Sequence, residues 1–259
     1  MPDSAASPPA PAPGATQITV AITGASGALG RALLRRWHDR GARLIALTSS
    51  DQPLELVDGT GQPIPLRQVR WRVGEEGALA ELLAVVAVLV LNHGINVLGA
   101  RDADAVERSL EVNALSAWRL LELFAGCRGG RGGEVWLNTS EAEIQPALSP
   151  LYEISKRLIG QLFSLRALDL TRPDPQTGRP ALRLRRLVLG PFRSALNPYG
   201  VMTAEWVAGQ ILLQAGWGLG LIIVTPNPLT YVLMPITTLG RWAYFSALGA
   251  IPTLRSPGR

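Results

Sequence analysis

The stretch Thr23-Gly24-Ala25-Ser26-Gly27-Ala28-Leu29-Gly30 constrains the fold of this chain more than any other. It follows directly on residues 18–22, an apolar run that reads as a buried strand, and it opens a helical pattern reaching about Arg40. Glycine lets a backbone approach a bulky anion and lets a helix pack tightly on its strand. The start of the helix then offers free N–H groups and the positive end of its dipole. A strand, a glycine-rich turn and a helix in that order make a pyrophosphate cradle of Thr23, Gly24, Ser26, Gly27, Leu29 and Gly30. A plain tight turn would use the same glycines but would not require that order.

Six further strands are expected, at residues 43–47, 68–73, 86–91, 134–139, 181–189 and 221–225. Helices are expected between them at 77–84, 103–125, 151–170 and 203–213. Runs that are apolar on both faces belong to a parallel sheet covered on each side. The expected architecture is a doubly wound, Rossmann-type α/β sheet of about seven parallel strands with helices on both faces. Residues 1–16 are rich in Ala and Pro and lack a basic stretch followed by an apolar one, so they read as a disordered tail rather than a signal peptide. Residues 17–227 form the dinucleotide-binding domain, and 228–259 an apolar C-terminal segment.

A length of 259 residues suffices for one full core. Charged residues are only 17% and hydrophobic ones 47%, which is apolar enough to hint at a partner surface or a membrane. The net charge of +5 comes from arginines scattered along the chain, with no basic block interleaved with aromatics. That pattern argues against nucleic acid and leaves solvated faces, an anionic cofactor or anionic lipid. Cys127 is alone, so there is no disulfide framework and no thiolate metal site, and a reducing cytoplasm fits. His38 and His93 are too far apart for a local metal motif.

An acid ending the second strand would accept the ribose hydroxyls of NAD. Here the chain reads Leu47-Thr48-Ser49-Ser50, with no carboxylate before Asp51. Thr48 and Ser49 leave room for a 2′-phosphate, and Ser26 and Arg31 add a donor and a charge. NADP(H) is therefore favoured, with NAD(H) the alternative.

Of the 25 basic residues one is lysine, Lys156, four residues after Tyr152 in Tyr152-Glu153-Ile154-Ser155-Lys156. On a helix these two share a face. A nearby ammonium favours phenolate, so Lys156 is expected to draw the Tyr152 pKa down toward the range of a general acid or base. A chance pair on a solvated helix is the bland alternative, and the use of arginine everywhere else weighs against it.

With TGASGALG near its start and YEISK past its middle, the chain resembles the short-chain dehydrogenase/reductase family over residues 17 to 225. The family's Asn-Asn-Ala-Gly segment appears as Leu91-Asn92-His93-Gly94. The resemblance implies that Asn92, Gly94, Lys156 and Pro191 contact the cofactor, although the family's Pro-Gly is reversed here as Gly190-Pro191. It also implies that Asn113 holds the lysine through a water. A carbonyl-polarising hydroxyl should end the fifth strand at Ser140, 12 residues before Tyr152, or at Thr139, which meets the family's commoner spacing of 13. The strings NTSEAE, SPLYEISKR, LGPFRSALNPYGVM and IIVTPNPLTYVLMP are similar to the dehydrogenase module of cyanobacterial bifunctional sterol desaturase/short-chain dehydrogenase proteins.

On that resemblance Tyr152 exchanges a proton with a carbonyl or alcohol oxygen as hydride moves to or from nicotinamide. Lys156 tunes the tyrosine and binds the nicotinamide ribose, Ser140 steadies the alkoxide, and Asn113 keeps the relay in place. His93 reads as packing or hydrogen bonding, and Glu141 and Glu143 as a solvated loop bordering the pocket, with a buried acid that could bind a polar substrate as the alternative. Residues 228–251 are long enough to span a bilayer, but Pro235, Gly240 and Arg241 interrupt them. Trp242, Tyr244 and Phe245 suit a membrane-surface helix, while a lid or a contact between subunits is equally compatible. The expected function is an NAD(P)-dependent oxidoreductase acting on an apolar carbonyl or alcohol, cytoplasmic or peripheral to a membrane. The alternative is a non-catalytic NADP-binding scaffold or sensor.

Overall fold

The computed structural model describes residues 17–128, 131–173, 178 and 180–250. The expected tail at 1–16 and the end of the C-terminal segment, 251–259, lie outside the described residues. The strands are β1 (Thr19–Thr23), β2 (Arg43–Thr48), β3 (Arg67–Arg70), β4 (Val88–Leu91), β5 (Glu134–Ser140), β6 (Arg183–Leu189) and β7 (Leu221–Val224). The helices are α1 (Ala28–His38), α2 (Ala80–Ala84), α3 (Ala103–Leu110), α4 (Ser116–Arg128), α5 (Pro150–Leu170), α6 (Ala204–Gly216) and α7 (Pro228–Ala250).

All seven strands pair in parallel, in the order β3-β2-β1-β4-β5-β6-β7. Successive side chains of a strand point to opposite faces, and β1 shows the result. Val20 and Ile22 join Leu33 and Trp37 of α1 and Ile211 of α6 on one face. Ala21 joins Leu120 and Phe124 of α4 and Phe163 of α5 on the other. Burying each such large side chain is worth roughly 1.5–3 kcal/mol, so two cores, one per face, hold the sheet between its helix layers. The chain leaves β1 outward through β2 and β3, then returns to β4 on the other side of β1. The loops after β1 and β4 therefore part at the strands' C-terminal ends and open a crevice.

Three elements differ from expectation. The helix expected over 103–125 is α3 and α4 joined by a π turn, Glu111–Leu115, a wide turn that often marks functional sites; Asn113, in this turn, is buried. Strand β3 ends at Arg70, after which Trp71 still donates its N–H to the Thr48 carbonyl at 3.0 Å and buries its ring in the α4–α5 core. The C-terminal segment forms one helix that runs through Pro235. Its inner side seats Met234 against Val188 and Ile223. No described helix is long and apolar enough to cross a membrane.

Candidate active site

A cavity of about 780 Å³ lies at the C-terminal ends of the central strands. At one end it is lined by Gly24, Ser26, Gly27 and Leu29 of the glycine-rich turn, with Thr48 and Ser49 beyond. Gly24 adopts φ 61°, and a Cβ on it would come 2.9 Å from His93 Cα; one on Gly30 would come 2.4 Å from the Gly24 carbonyl. The first turn of α1 has no side-chain cap and no acid, leaving its N–H groups for an anion. The residues present thus fit a dinucleotide pyrophosphate. Thr48 Oγ1 donates to Ser26 Oγ at 3.1 Å. Asp51, the first carboxylate after β2, is paired with Arg70 at 2.5 Å. Arg31 lays its guanidinium on the carbonyls of Ser26 (3.1 Å) and Glu55 (3.4 Å).

Thr23 and Gly30 do not line the cavity; they build its wall. The fully buried Thr23 Oγ1 accepts from the Asn92 N–H at 2.8 Å and is hydrogen-bonded to His93 Nδ1 at 2.8 Å, tying the loop after β4 to β1. His93 packs edge-on against Trp71. Burial, aided by the Lys156 charge, pushes its imidazole down to about 4, so it is neutral at ordinary pH. Asn92 and Gly94 line the cavity, as does Pro191 after β6.

Ser140, Tyr152 and Lys156 meet at the cavity floor. The two candidate hydroxyls at the end of β5 separate cleanly. Thr139 Oγ1 donates to the Leu187 carbonyl within the sheet (3.2 Å), whereas Ser140 lines the cavity with Tyr152 and its Oγ accepts from Ala142 N–H (3.2 Å). Lys156 Nζ donates to the Asn138 carbonyl at 3.1 Å and lies over the Tyr152 ring. Burial pushes the Tyr152 phenol above its ordinary range, with Ser140 opposing. This reverses the direction expected from the Tyr–Lys spacing, since the ammonium faces the ring. Burial likewise draws Lys156 down to about 8, with Glu143 opposing.

Asn113 lies behind this floor. Its Oδ1 accepts from Ile95 N–H (2.7 Å), and its Nδ2 donates to the Ile95 carbonyl and to Ser155 Oγ, both at 3.0 Å. Its amide therefore pins the loop after β4 to α5, and Lys156 is not among its hydrogen-bond partners. The sequence did not assign the roles of two residues. Asn138 holds Lys156 and donates to Asn92 Oδ1 at 2.8 Å; it was visible as a polar residue inside an apolar strand. Glu143, expected in a solvated loop, is buried and ion-paired with Arg186 and Arg241. Its signal was Gly160, a glycine in mid-helix against which it packs.

The cavity mouth is apolar. Leu98, Leu148, Leu196 and Tyr199 line it and remain exposed. Ser149 Oγ donates to the Leu98 carbonyl at 2.7 Å, tying two of these loops together.

The model of the NAD dependent epimerase/dehydratase family matches residues 20–151. The chain is similar to a monoglucosyldiacylglycerol epimerase of a Synechocystis species. The two are 44% identical over 230 residues, 87% of this chain and 53% of that protein. The chain thus spans about half the length of that relative. Among solved structures it resembles a short-chain dehydrogenase of Burkholderia cenocepacia in complex with NADP. The TM-score is 0.71 at 18% identity, covering 91% of this chain and 98% of that one. A Sphingobium yanoikuyae short-chain dehydrogenase in complex with NADPH gives 0.68 at 17%, covering 93% and 98%.

Proposed function

This chain belongs to the NAD dependent epimerase/dehydratase family and has the short-chain dehydrogenase/reductase fold, and we propose that it epimerises the hexose headgroup of a glycolipid. The observation that carries this reading is one cavity with three parts. It has a glycine-rich cradle at one end, Ser140, Tyr152 and Lys156 at its floor, and an exposed apolar mouth. A sugar fits between floor and cradle while acyl chains stay outside among Leu98, Leu148, Leu196 and Tyr199. The similarity to a glycolipid epimerase supports that substrate class.

The cofactor is a nicotinamide dinucleotide, NADP(H) in preference to NAD(H). When bound, its pyrophosphate would be held by Gly24, Ser26, Gly27 and Leu29, with Thr48 and Ser49 leaving room for a 2′-phosphate and Asn92, Gly94, Lys156 and Pro191 available to the nicotinamide half. When bound, it supplies a hydride acceptor that becomes the donor for the return step. Once its own proton has passed to solvent, Tyr152 as the phenolate takes the proton from the reacting sugar hydroxyl, and Ser140 donates a hydrogen bond to the oxygen left behind. Lys156 binds the ribose and keeps positive charge beside the phenol, while Asn113 fixes the loop and helix that frame it. The keto sugar then presents its opposite face, and Tyr152 returns the proton to form the epimeric alcohol. Protons and hydride balance over the cycle, with no net oxidation.

The same reading has a lipid surface covering the outer row of α7, where Leu229, Val232, Ile236 and Leu239 are exposed with Trp242 and Tyr244. The test is incubation with monoglucosyldiacylglycerol and a catalytic amount of NADP⁺ or NAD⁺, then hydrolysis and hexose analysis. An epimeric hexose without net nucleotide reduction is expected. A ketone formed in step with reduced nucleotide would make the protein a simple dehydrogenase. An unchanged headgroup beside bound nucleotide would contradict the glycolipid substrate.

A further inference from the structure

A second cavity, of about 500 Å³, opens at the N-terminal ends of the strands, the edge of the sheet away from the nucleotide cradle. The first residues of three neighbouring strands make its floor: Thr19 of β1, Arg43 and Ile45 of β2, and Arg67 of β3. The register brings them to one face. Thr19 lies beside Arg43, and Arg67 lies beside Ile45, two residues further along β2. Alternate residues of a strand share a face, so both arginines rise on the side where Ile45 packs with the α2 and α4 core. Val85 and Ala87, before β4, and Arg128, at the end of α4, form the wall.

Three guanidinium groups border this hollow, and no acid lines it. Elsewhere arginines meet carboxylates, as Arg35 does Glu205 and Arg166 does Glu122. Arg43, Arg67 and Arg128 form no ion pair among the described residues. Glu134, whose N–H donates to the Ala87 carbonyl at the cavity edge, is committed to Arg185 at 2.8 Å. Arg128 is held in place by backbone. Its Nε donates to the Gly132 carbonyl (2.5 Å) and its Nη1 to the carbonyls of Ala84 (3.2 Å) and Val86 (3.0 Å), which leaves Nη2 unengaged.

A guanidinium offers a planar fork of N–H donors that matches phosphate or carboxylate oxygens. Three such groups without a counter-charge suit a multiply charged phosphate better than a single carboxylate. The volume falls within the roughly 300–1,000 Å³ of small-molecule sites. Ile18 and Val85, both exposed, add apolar wall for the body of an ester. We propose that this hollow is a second anion site, separate from the nucleotide cavity, which takes the phosphate of a phosphate ester between Arg43, Arg67 and Arg128. Thr19 and Thr23, the two ends of β1, belong to the two different sites, so a ligand here leaves the glycine-rich cradle free. A soluble ester and a lipid headgroup present the same phosphate chemistry.

Inorganic pyrophosphate is the probe, titrated by calorimetry into the wild type and Arg43→Gln/Arg67→Gln, with and without saturating NADPH. Both arginines are exposed, so the variant should keep the near-UV circular dichroism of the wild type. Pyrophosphate should bind the wild type in the presence of NADPH, and about tenfold or more weakly in the variant, which loses two charge-assisted partners. Equal affinity in the two proteins overturns the proposal. So does binding that NADPH displaces, which would belong to the glycine-rich cradle. Should the double variant not fold, Arg67→Gln is read by the same criteria. Sedimentation with phosphatidylcholine vesicles, with and without phosphatidylglycerol, then separates the sources. Extra binding to the anionic vesicles that the variant loses assigns a lipid headgroup, and arginine-dependent pyrophosphate binding without that extra assigns a soluble ester.

Discussion

Lys156 Nζ lies over the face of the Tyr152 ring, 5.6 Å from its centroid, and donates to the Asn138 carbonyl. The ammonium therefore does not bond the phenol hydroxyl. Burial raises the phenol pKa above its ordinary range, and Ser140 opposes that shift. Proton exchange and charge placement are divided between two neighbours of the tyrosine.

Removing the phenol hydroxyl should separate these roles. Tyr152→Phe keeps a ring beneath the ammonium, so nucleotide affinity should stay within about twofold. Turnover should fall on the order of 10²–10⁴-fold, the usual worth of a positioned proton donor. Nucleotide titration beside headgroup analysis would read both.

The two hydroxyls at the end of β5 should respond differently. Ser140→Ala should lower turnover about 10²-fold or more and also cost about 1 kcal/mol, since Ser140 Oγ caps the turn after β5 by accepting from Ala142 N–H. Thr139→Val should leave turnover near wild type but cost about 1 kcal/mol, since it removes the buried hydrogen bond to Leu187. Steady-state rates on the pair distinguish them, and thermal melts read the cost they share.

Much of this was legible in the chain. The mostly apolar run of β1, the wholly apolar run of β4, the octet that opens α1 and the Tyr–Lys spacing gave the sheet, the crevice and the floor of the site, because strand and helix periods are local properties. Contacts across the fold were not legible. That Thr139 faces Leu187 and Ser140 faces Tyr152 depends on the register of β5 with β6. The burial of Glu143 depends on Arg186 and Arg241, 43 and 98 residues away in sequence. The π turn that buries Asn113 also escaped, because one wide turn leaves helical periodicity nearly intact.

Stability should rise with pH on the alkaline side. Lys156 titrates at about 8 in the fold and near 10.4 in the unfolded chain. Between those values the unfolded state binds more protons, so unfolding free energy increases, whereas below pH 8 both states are protonated and the burial penalty is full. Lys156→Met should abolish the rise and gain on the order of 1–3 kcal/mol at pH 7. Denaturant unfolding at pH 7, 8.5 and 10 tests the sign.

Nucleotide choice should reverse when an acid is placed after β2. Ser49 is exposed at the cavity edge, and Ser49→Asp would repel a 2′-phosphate while accepting ribose hydroxyls. The ratio of NADPH to NADH affinity should fall about tenfold or more. An unchanged ratio would place the 2′-phosphate elsewhere.

A nicotinamide site built on Lys156 is tested most directly by titrating the purified protein with NADPH and NADH, following nicotinamide fluorescence, in the wild type and Lys156→Ala. Saturable binding that favours NADPH and weakens in the variant is the expected result. Binding of neither nucleotide to the wild type, or equal binding to both proteins, would contradict it.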